Sequence, residues 1–179
     1  VTRPASSTAR PLVRPGHTVA AHQNRFLSNL ALTVCWPHAE LYVGTSEDLK
    51  KYFDADLEVM TWAQAQKEKA ATFSDLLSKR FPEKWKRYGG KDFQGHAPIR
   101  VIEAISEGVS FTASEHSFGV DYMGVMRPRI SSLEKAKAIV RAFNYQGRPY
   151  DFEFDFFSDA TLGCSERVFK SDAPSEAET

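Results

Sequence analysis

Residues 99–112 read I-R-V-I-E-A-I-S-E-G-V-S-F-T. Ile99 to Ile105 has the β-branched, alternating character of a strand, Glu107-Gly108 is a turn signal, and Val109 to Thr112 returns as a second strand. Two strands joined so tightly must be antiparallel. Simple alternation places Arg100, Ile102 and Ala104 on one face and Ile99, Val101, Glu103 and Ile105 on the other. Glu103 thus shares a face with apolar residues, where a carboxylate requires a partner.

Further strands flank this pair. Pro15-Gly16 signals a turn, and Thr18 to Ala21 is a short core strand behind it. From His38 the chain alternates, with His38, Glu40 and Tyr42 on one side and Ala39, Leu41 and Val43 on the other. Pro37 bars a central strand from starting earlier, which puts His38 at a strand start on the rim of a sheet. Tyr122 to Met126 is another strand, ended by Arg127-Pro128.

The rest is helical or irregular. Phe26, Leu27 and Leu30 suggest a short helical turn. Ser46 is expected to cap a segment with Leu49, Tyr52 and Phe53. Thr61 is expected to cap a longer helix carrying Trp62, Ala65, Lys69, Phe73, Leu76 and Leu77, ended at Phe81-Pro82. Pro82 opens a short helix through Trp85 and Tyr88 that Gly89-Gly90 stops. Residues 46–90 therefore read as a helical insertion between two strands, a lid or a partner surface. Ser132 caps a helix with Leu133, Ala136, Ile139, Val140 and Phe143 at helical spacing, and Glu134 suits its dipole. The expected class is α+β: a mostly antiparallel, curled sheet packed on helices. Residues 1–14 read as a flexible arm, 15–171 as one domain, and 172–179 as a polar tail.

Composition narrows the function. The 179 residues carry a formal net charge of zero, which gives no electrostatic argument for nucleic acid or an anionic membrane. No run of about 18 apolar residues exists to span a bilayer. The thirteen Phe predict an aromatic core. Two cysteines, Cys35 and Cys164, are too few for a disulfide framework, and free thiols in a reducing compartment are their ordinary state. With Val1 as the first residue, the lack of a signal segment carries no weight on compartment.

The chemistry centres on the C-terminal stretch. Residues 150–170 read Y-D-F-E-F-D-F-F-S-D-A-T-L-G-C-S-E-R-V-F-K. Alternating aromatic and acidic residues predict a strand, and Cys164 is expected at the start of a helix carrying Val168 and Phe169. Helix N-termini favour the thiolate, the reactive form of cysteine. Cys164 is thereby a candidate nucleophile, His38 a candidate base and Glu103 a candidate orienter of the imidazole. Each has a plainer reading: Cys164 as a small core residue, His38 as an edge histidine, Glu103 as the partner of Arg100 or Arg127. The Phe152, Phe154, Phe156 stripe is core first and acyl pocket second. Cys35 and His38 have C-x-x-H spacing, but no second Cys/His pair at zinc spacing follows. His17, His22, His96 and His116 lie in loop-like contexts and are expected at the surface, with His22 near the candidate site in sequence.

Several blocks resemble a known family. W-P-H-A-E-L-Y-V-G-T (Trp36 to Thr45), V-I-E-A-I-S-E-G-V (Val101 to Val109), M-R-P-R (Met126 to Arg129), G-R-P-Y-D-F-E-F-D-F (Gly147 to Phe156) and C-S-E (Cys164 to Glu166) are similar to the YiiX/YaeF-like branch of the NlpC/P60 superfamily. These are circularly permuted papain-like cysteine hydrolases, in which the order is His, polar residue, Cys. The resemblance spans about Pro15 to Lys170. It implies a permuted papain-like fold with His38 as base, Glu103 as third triad member, Cys164 as nucleophile and Tyr150 beside the site. Two blocks depart from the pattern: Pro15-Gly16-His17 stands for P-G-D, and Arg167 takes an apolar position after C-S-E.

The implied activity is cleavage of an amide, in a peptide, isopeptide or cell-wall-like substrate, with no metal or organic cofactor. The related lecithin-retinol acyltransferase-like enzymes keep a lipid acyl hydrolase or transferase as an alternative. The remaining alternatives are a non-catalytic binding domain, or an interaction protein working through residues 46–90. The latter requires a large exposed apolar patch on that segment.

Overall fold

A five-stranded antiparallel sheet organises the molecule. Strands β1 (His17–His22), β2 (His38–Tyr42), β3 (Ile99–Ile105), β4 (Gly108–Ala113) and β5 (Tyr122–Met126) lie in the order β4-β3-β2-β1-β5. The computed structural model describes residues 12–22 and 38–149. Between the strands run α1 (Ser46–Leu49), a π-helical segment (Lys50–Asp54), α2 (Leu57–Ala65), α3 (Phe73–Arg80) and α4 (Pro82–Tyr88). After β4 come α5 (Ser114–Ser117) and, following β5, α6 (Ser132–Tyr145). The α+β class expected from the sequence is the class observed.

The β3–β4 hairpin pairs Glu103 with Ser110 and Ile105 with Gly108. Gly108 has φ +99°, and a Cβ there would stand 2.5 Å from the Arg148 carbonyl oxygen. Only glycine combines that backbone with that approach. The approach is used: Val109 N–H donates to Arg148 O, and Gly147 N–H donates to Val109 O, both at 2.8 Å. The chain leaving α6 is thus clipped to the hairpin.

One expectation about faces needs correction. The register of β3 against β4 shifts between Ile99 and Val101, a bulge at Arg100. Ile99 therefore packs in the same cluster as Ile102 and Ala104, while Val101 packs on the other side with Val19, Tyr42 and Phe118. Simple alternation had put Ile99 with Val101. A bulge inserts one residue and re-aims the side chains around it.

The larger core lies on the face carrying Leu41, Ile102 and Phe111, beneath the helices. Phe143 of α6 is its centre, with rings of Phe81, Trp85, Tyr88 and Phe111 at 5.1–6.4 Å. Such pairs each add about 0.5–1.5 kcal/mol beyond their buried area.

Residues 46–90 belong to this core. Leu49, Phe53, Val59, Ala63, Phe73, Leu76, Leu77 and Tyr88 are all buried in it with the sheet and α6. Tyr88 donates its hydroxyl to Gly44 O at the end of β2, and burial, then the charge of Asp48, pushes that phenol up so that it stays protonated. The segment is a structural layer rather than a lid. Its large exposed hydrophobic residue is Leu57, which stands alone instead of forming a patch among the described residues.

Its internal boundaries also differ from expectation. Thr45, not Ser46, caps α1, in a reciprocal capping box with Asp48. The single helix expected from Thr61 to Phe81 is two. Asp56 caps α2 by accepting from Glu58 N and Val59 N, and Thr72 caps α3 by accepting from Asp75 N. Ser131, one residue earlier than expected, caps α6 through Glu134 N. The expected helical turn at Phe26 to Leu30 lies outside the described residues.

Candidate active site

The face of the sheet opposite the large core carries a polar cluster. In β2, residues of one parity share a face, so His38, Glu40 and Tyr42 point together. Glu40 stands directly across from Glu103 in the β2–β3 register. Glu103 is buried despite its charge, and its partners explain why that is tolerated.

Glu103 Oε2 lies 2.6 Å from His38 Nε2. Its other oxygen, Oε1, accepts from Thr112 Oγ1, and from Ser117 Oγ at 2.7 Å. The two hydroxyls are 2.9 Å from each other, so they form a compact clamp. Thr112 comes from β4, and Ser117 from the four-residue α5 that follows it directly. A strand and the short helix after it thereby converge on one carboxylate.

Burial alone would raise the Glu103 pKa. The His38 hydrogen bond and charge, with the Thr112 and Ser117 hydroxyls, outweigh burial and hold it well below the usual carboxylate range. An ionised carboxylate only accepts hydrogen bonds. Nε2 must therefore carry the proton of this contact. Solvent reaches 23 % of the His38 side chain against 3 % for Glu103.

Glu40 Oε1 is 3.6 Å from His38 Nε2, in ion-pairing range but longer than a hydrogen bond. His38, Glu40 and Glu103 offer three ligand-type atoms within 4.8 Å of one another. The separation of 2.6 Å between Nε2 and Oε2 is that of a charge-assisted hydrogen bond. Two donors each about 2.0–2.1 Å from a shared tetrahedral ion stand farther apart. Both oxygens of Glu103 are already used, so the arrangement fits an oriented imidazole better than a metal cage.

The structure brings His38 and Glu103 together across 65 positions of sequence. Arg100 and Arg127, the plainer partners of Glu103, are not its partners here. Cys164 and Tyr150 lie outside the described residues, as does Cys35. Sequence reading missed Thr112 and Ser117 as holders of Glu103. It placed Glu40 on the His38 side without giving it a role.

The other histidines divide. His96 is substantially exposed, with Nδ1 3.6 Å from Asp92, as expected of a surface residue. His17 was expected at the surface and is buried. Its Nδ1 accepts from Arg14 N at 3.2 Å, which requires an unprotonated nitrogen. Burial first, then the charges of Lys135, Arg127 and Arg14, hold its pKa down to about 4. The Pro15-Gly16 turn that precedes it donates Gly16 N–H to Tyr42 O, fixing His17 in the first ladder position of β1. The side chains of His22 and His116 lie outside the described residues.

No protein-family model, curated protein or solved structure matches this chain.

Proposed function

We propose that the protein is a cysteine-dependent hydrolase that cleaves an amide bond, with His38 as general base, Glu103 as its orienter and Cys164 as nucleophile. The observation that carries this reading is the 2.6 Å contact between His38 Nε2 and a buried, ionised Glu103. The clamp on Glu103 fixes the imidazole through Nε2, and this reading assigns Nδ1 to the nucleophile. The resemblance of the His38, Glu103 and Cys164 blocks to permuted papain-like hydrolases supports the choice of cysteine, and with it the finer assignment of a permuted papain-like fold.

In this scheme His38 Nδ1 takes the Cys164 thiol proton, and Glu103 stabilises the imidazolium that forms. The thiolate sulfur bonds to the amide carbonyl carbon, giving a tetrahedral oxyanion. Backbone N–H groups beside Cys164, with the Tyr150 hydroxyl, are the proposed oxyanion donors. Collapse breaks the C–N bond as the imidazolium gives its proton to the leaving amine. Water, deprotonated by His38, then attacks the thioester, releases the acid and restores the thiol. The same steps with an ester or a lipid acyl donor give the alternative activity.

The test is labelling with a chloroacetamide probe. Wild type and Cys35→Ala should label, Cys164→Ala should not, and His38→Ala should label at least tenfold more slowly at neutral pH. Undiminished labelling of Cys164→Ala would remove the nucleophile assignment. Unchanged kinetics in His38→Ala would remove the base.

A further inference from the structure

A second polar site lies at the other end of β2. Tyr42 shares the His38 face but sits four residues along the strand, about 13 Å away at strand spacing. Beside it is a cleft of about 320 Å³ lined by Arg14, Tyr42, Asp48, Lys51, Tyr52 and Arg100, among others. Three of these are cations and one is an acid.

Among the described residues these cations have no anionic partner. Among the described residues no ion pair or hydrogen bond takes the Lys51 ammonium or the guanidinium of Arg14 or Arg100. Arg14 only lies over the Tyr52 ring, 5.9 Å from its centroid. The one acid is committed elsewhere: Asp48 Oδ2 accepts from Thr45 N at 2.9 Å and from Thr45 Oγ1 at 3.0 Å. Arg100 Nε is buried with no hydrogen-bond partner among the described residues. A buried donor left unpaired is unfavourable and calls for an explanation.

The backbone is also shaped around Arg100. It is the bulge residue of β3, and its carbonyl accepts from both Val43 N at 2.8 Å and Gly44 N at 3.0 Å. Regular alternation would align Arg100 with Ile102, on the face of the large core. The bulge instead aims it into the cleft with Tyr42.

We propose that this cleft binds the phosphate group of a phosphomonoester, with Arg14, Lys51 and Arg100 as its ligands. A phosphomonoester carries about −1.5 to −2 charge at neutral pH, matching the excess of cations over acid, whereas a carboxylate would leave a cation unbalanced. Arginine forks suit phosphate oxygens geometrically, and the lysine supplies a mobile point charge at the rim. The site stands on its own residues and does not depend on Cys164 or His38.

The experiment is a titration of the ¹⁵N-labelled protein with inorganic phosphate and with glycerol 3-phosphate, at constant ionic strength. Saturable shifts are expected at the amides of Gly44, Asp48, Lys51 and Tyr52. Arg100→Gln should weaken binding about tenfold or more, since it removes charge-assisted bonds. Lys51→Gln, at an exposed helical position, should weaken it several-fold without threatening the fold. His38→Ala should bind as wild type, which separates this site from the proposed hydrolase chemistry. Shifts reproduced by chloride, or both cleft variants binding like wild type, would overturn the proposal. Co-sedimentation with phosphatidic acid in phosphatidylcholine vesicles, abolished in Arg100→Gln, would assign the phosphate to a lipid headgroup. Phosphate binding without vesicle binding would assign it to a soluble ester, and either result supports the site.

Discussion

Replacing Glu103 by Ala and by Gln should have very different consequences, and the difference measures how the carboxylate is held. In Glu103→Ala the Thr112 and Ser117 hydroxyls lose their acceptor, and His38 loses its charged partner. Removing one member of a buried, hydrogen-bonded pair typically costs about 3–5 kcal/mol. The 2.9 Å contact between the two hydroxyls lets one of them recover a partner, which places the loss near the lower end, about 3 kcal/mol. Glu103→Gln keeps Oε1 as an acceptor for both hydroxyls and loses only the charge at Oε2. Its cost should be about 1 kcal/mol, the order of one neutral hydrogen bond. Urea denaturation resolves a gap of about 2 kcal/mol. The Gln amide presents N–H to the ring, so Nε2 must become an acceptor and the proton must move to Nδ1. Imidazole ¹⁵N shifts should report that change of tautomer, and the proposed hydrolysis should fall at least a hundredfold while the fold is retained. Equal stability losses in the two variants, or an unchanged tautomer in Glu103→Gln, would refute the clamp.

Three other outcomes follow from the same geometry. His17 is depressed to about 4 in the folded protein, so its contribution is present above pH 6.5 and is lost as pH falls toward 4. Wild type should lose about 1–3 kcal/mol of unfolding free energy over that window relative to His17→Asn, allowing for screening at the ring edge, as read from chemical denaturation at each pH. Ser117→Ala removes one of two hydroxyl donors to Glu103 and should cost about 1–2 kcal/mol in denaturation, with a smaller fall in the proposed activity than Glu103→Gln. Asp92 accepts from the backbone N–H groups of Gln94, His96 and Ala113, bonds that hold its pKa down against burial; Asp92→Ala should cost about 2–4 kcal/mol and speed hydrogen exchange at those three amides.

The sheet was largely legible because period-2 patterns and turn residues are local. Strand starts at His38 and Tyr122 and the Glu107-Gly108 turn match the structure within a residue. The bulge at Arg100 was not legible, since I-R-V-I-E-A-I fits unbroken alternation and only pairing with β4 displaces it. The break between α2 and α3 was hidden for a similar reason. Ala65 and Lys69 continue the helical period, yet Gln66 leaves the helix and Lys69 takes φ +46°. Thr72, a good cap, was available as a signal, but the apolar period ran over it.

The candidate site separates the same way, into what parity along a strand supplies and what only packing supplies. Parity placed His38 beside Glu40 and left Glu103 as an unexplained acid on an apolar face. That mismatch was the informative signal, because a carboxylate there must be either paired or absent. Ser117 could not be found by any such rule. It reaches Glu103 from a helix of four residues, too short for an amphipathic pattern, and its position is set by the direct run of β4 into α5. The two polar ends of β2 obey one logic. At His38 the buried charge is balanced within the protein by an imidazole and two hydroxyls. At Tyr42 a bulge delivers a second buried polar group, Arg100 Nε, and no described residue balances it. The two proposals thus rest on opposite observations, a buried ion fully satisfied at one end of β2 and a buried donor without a described partner at the other.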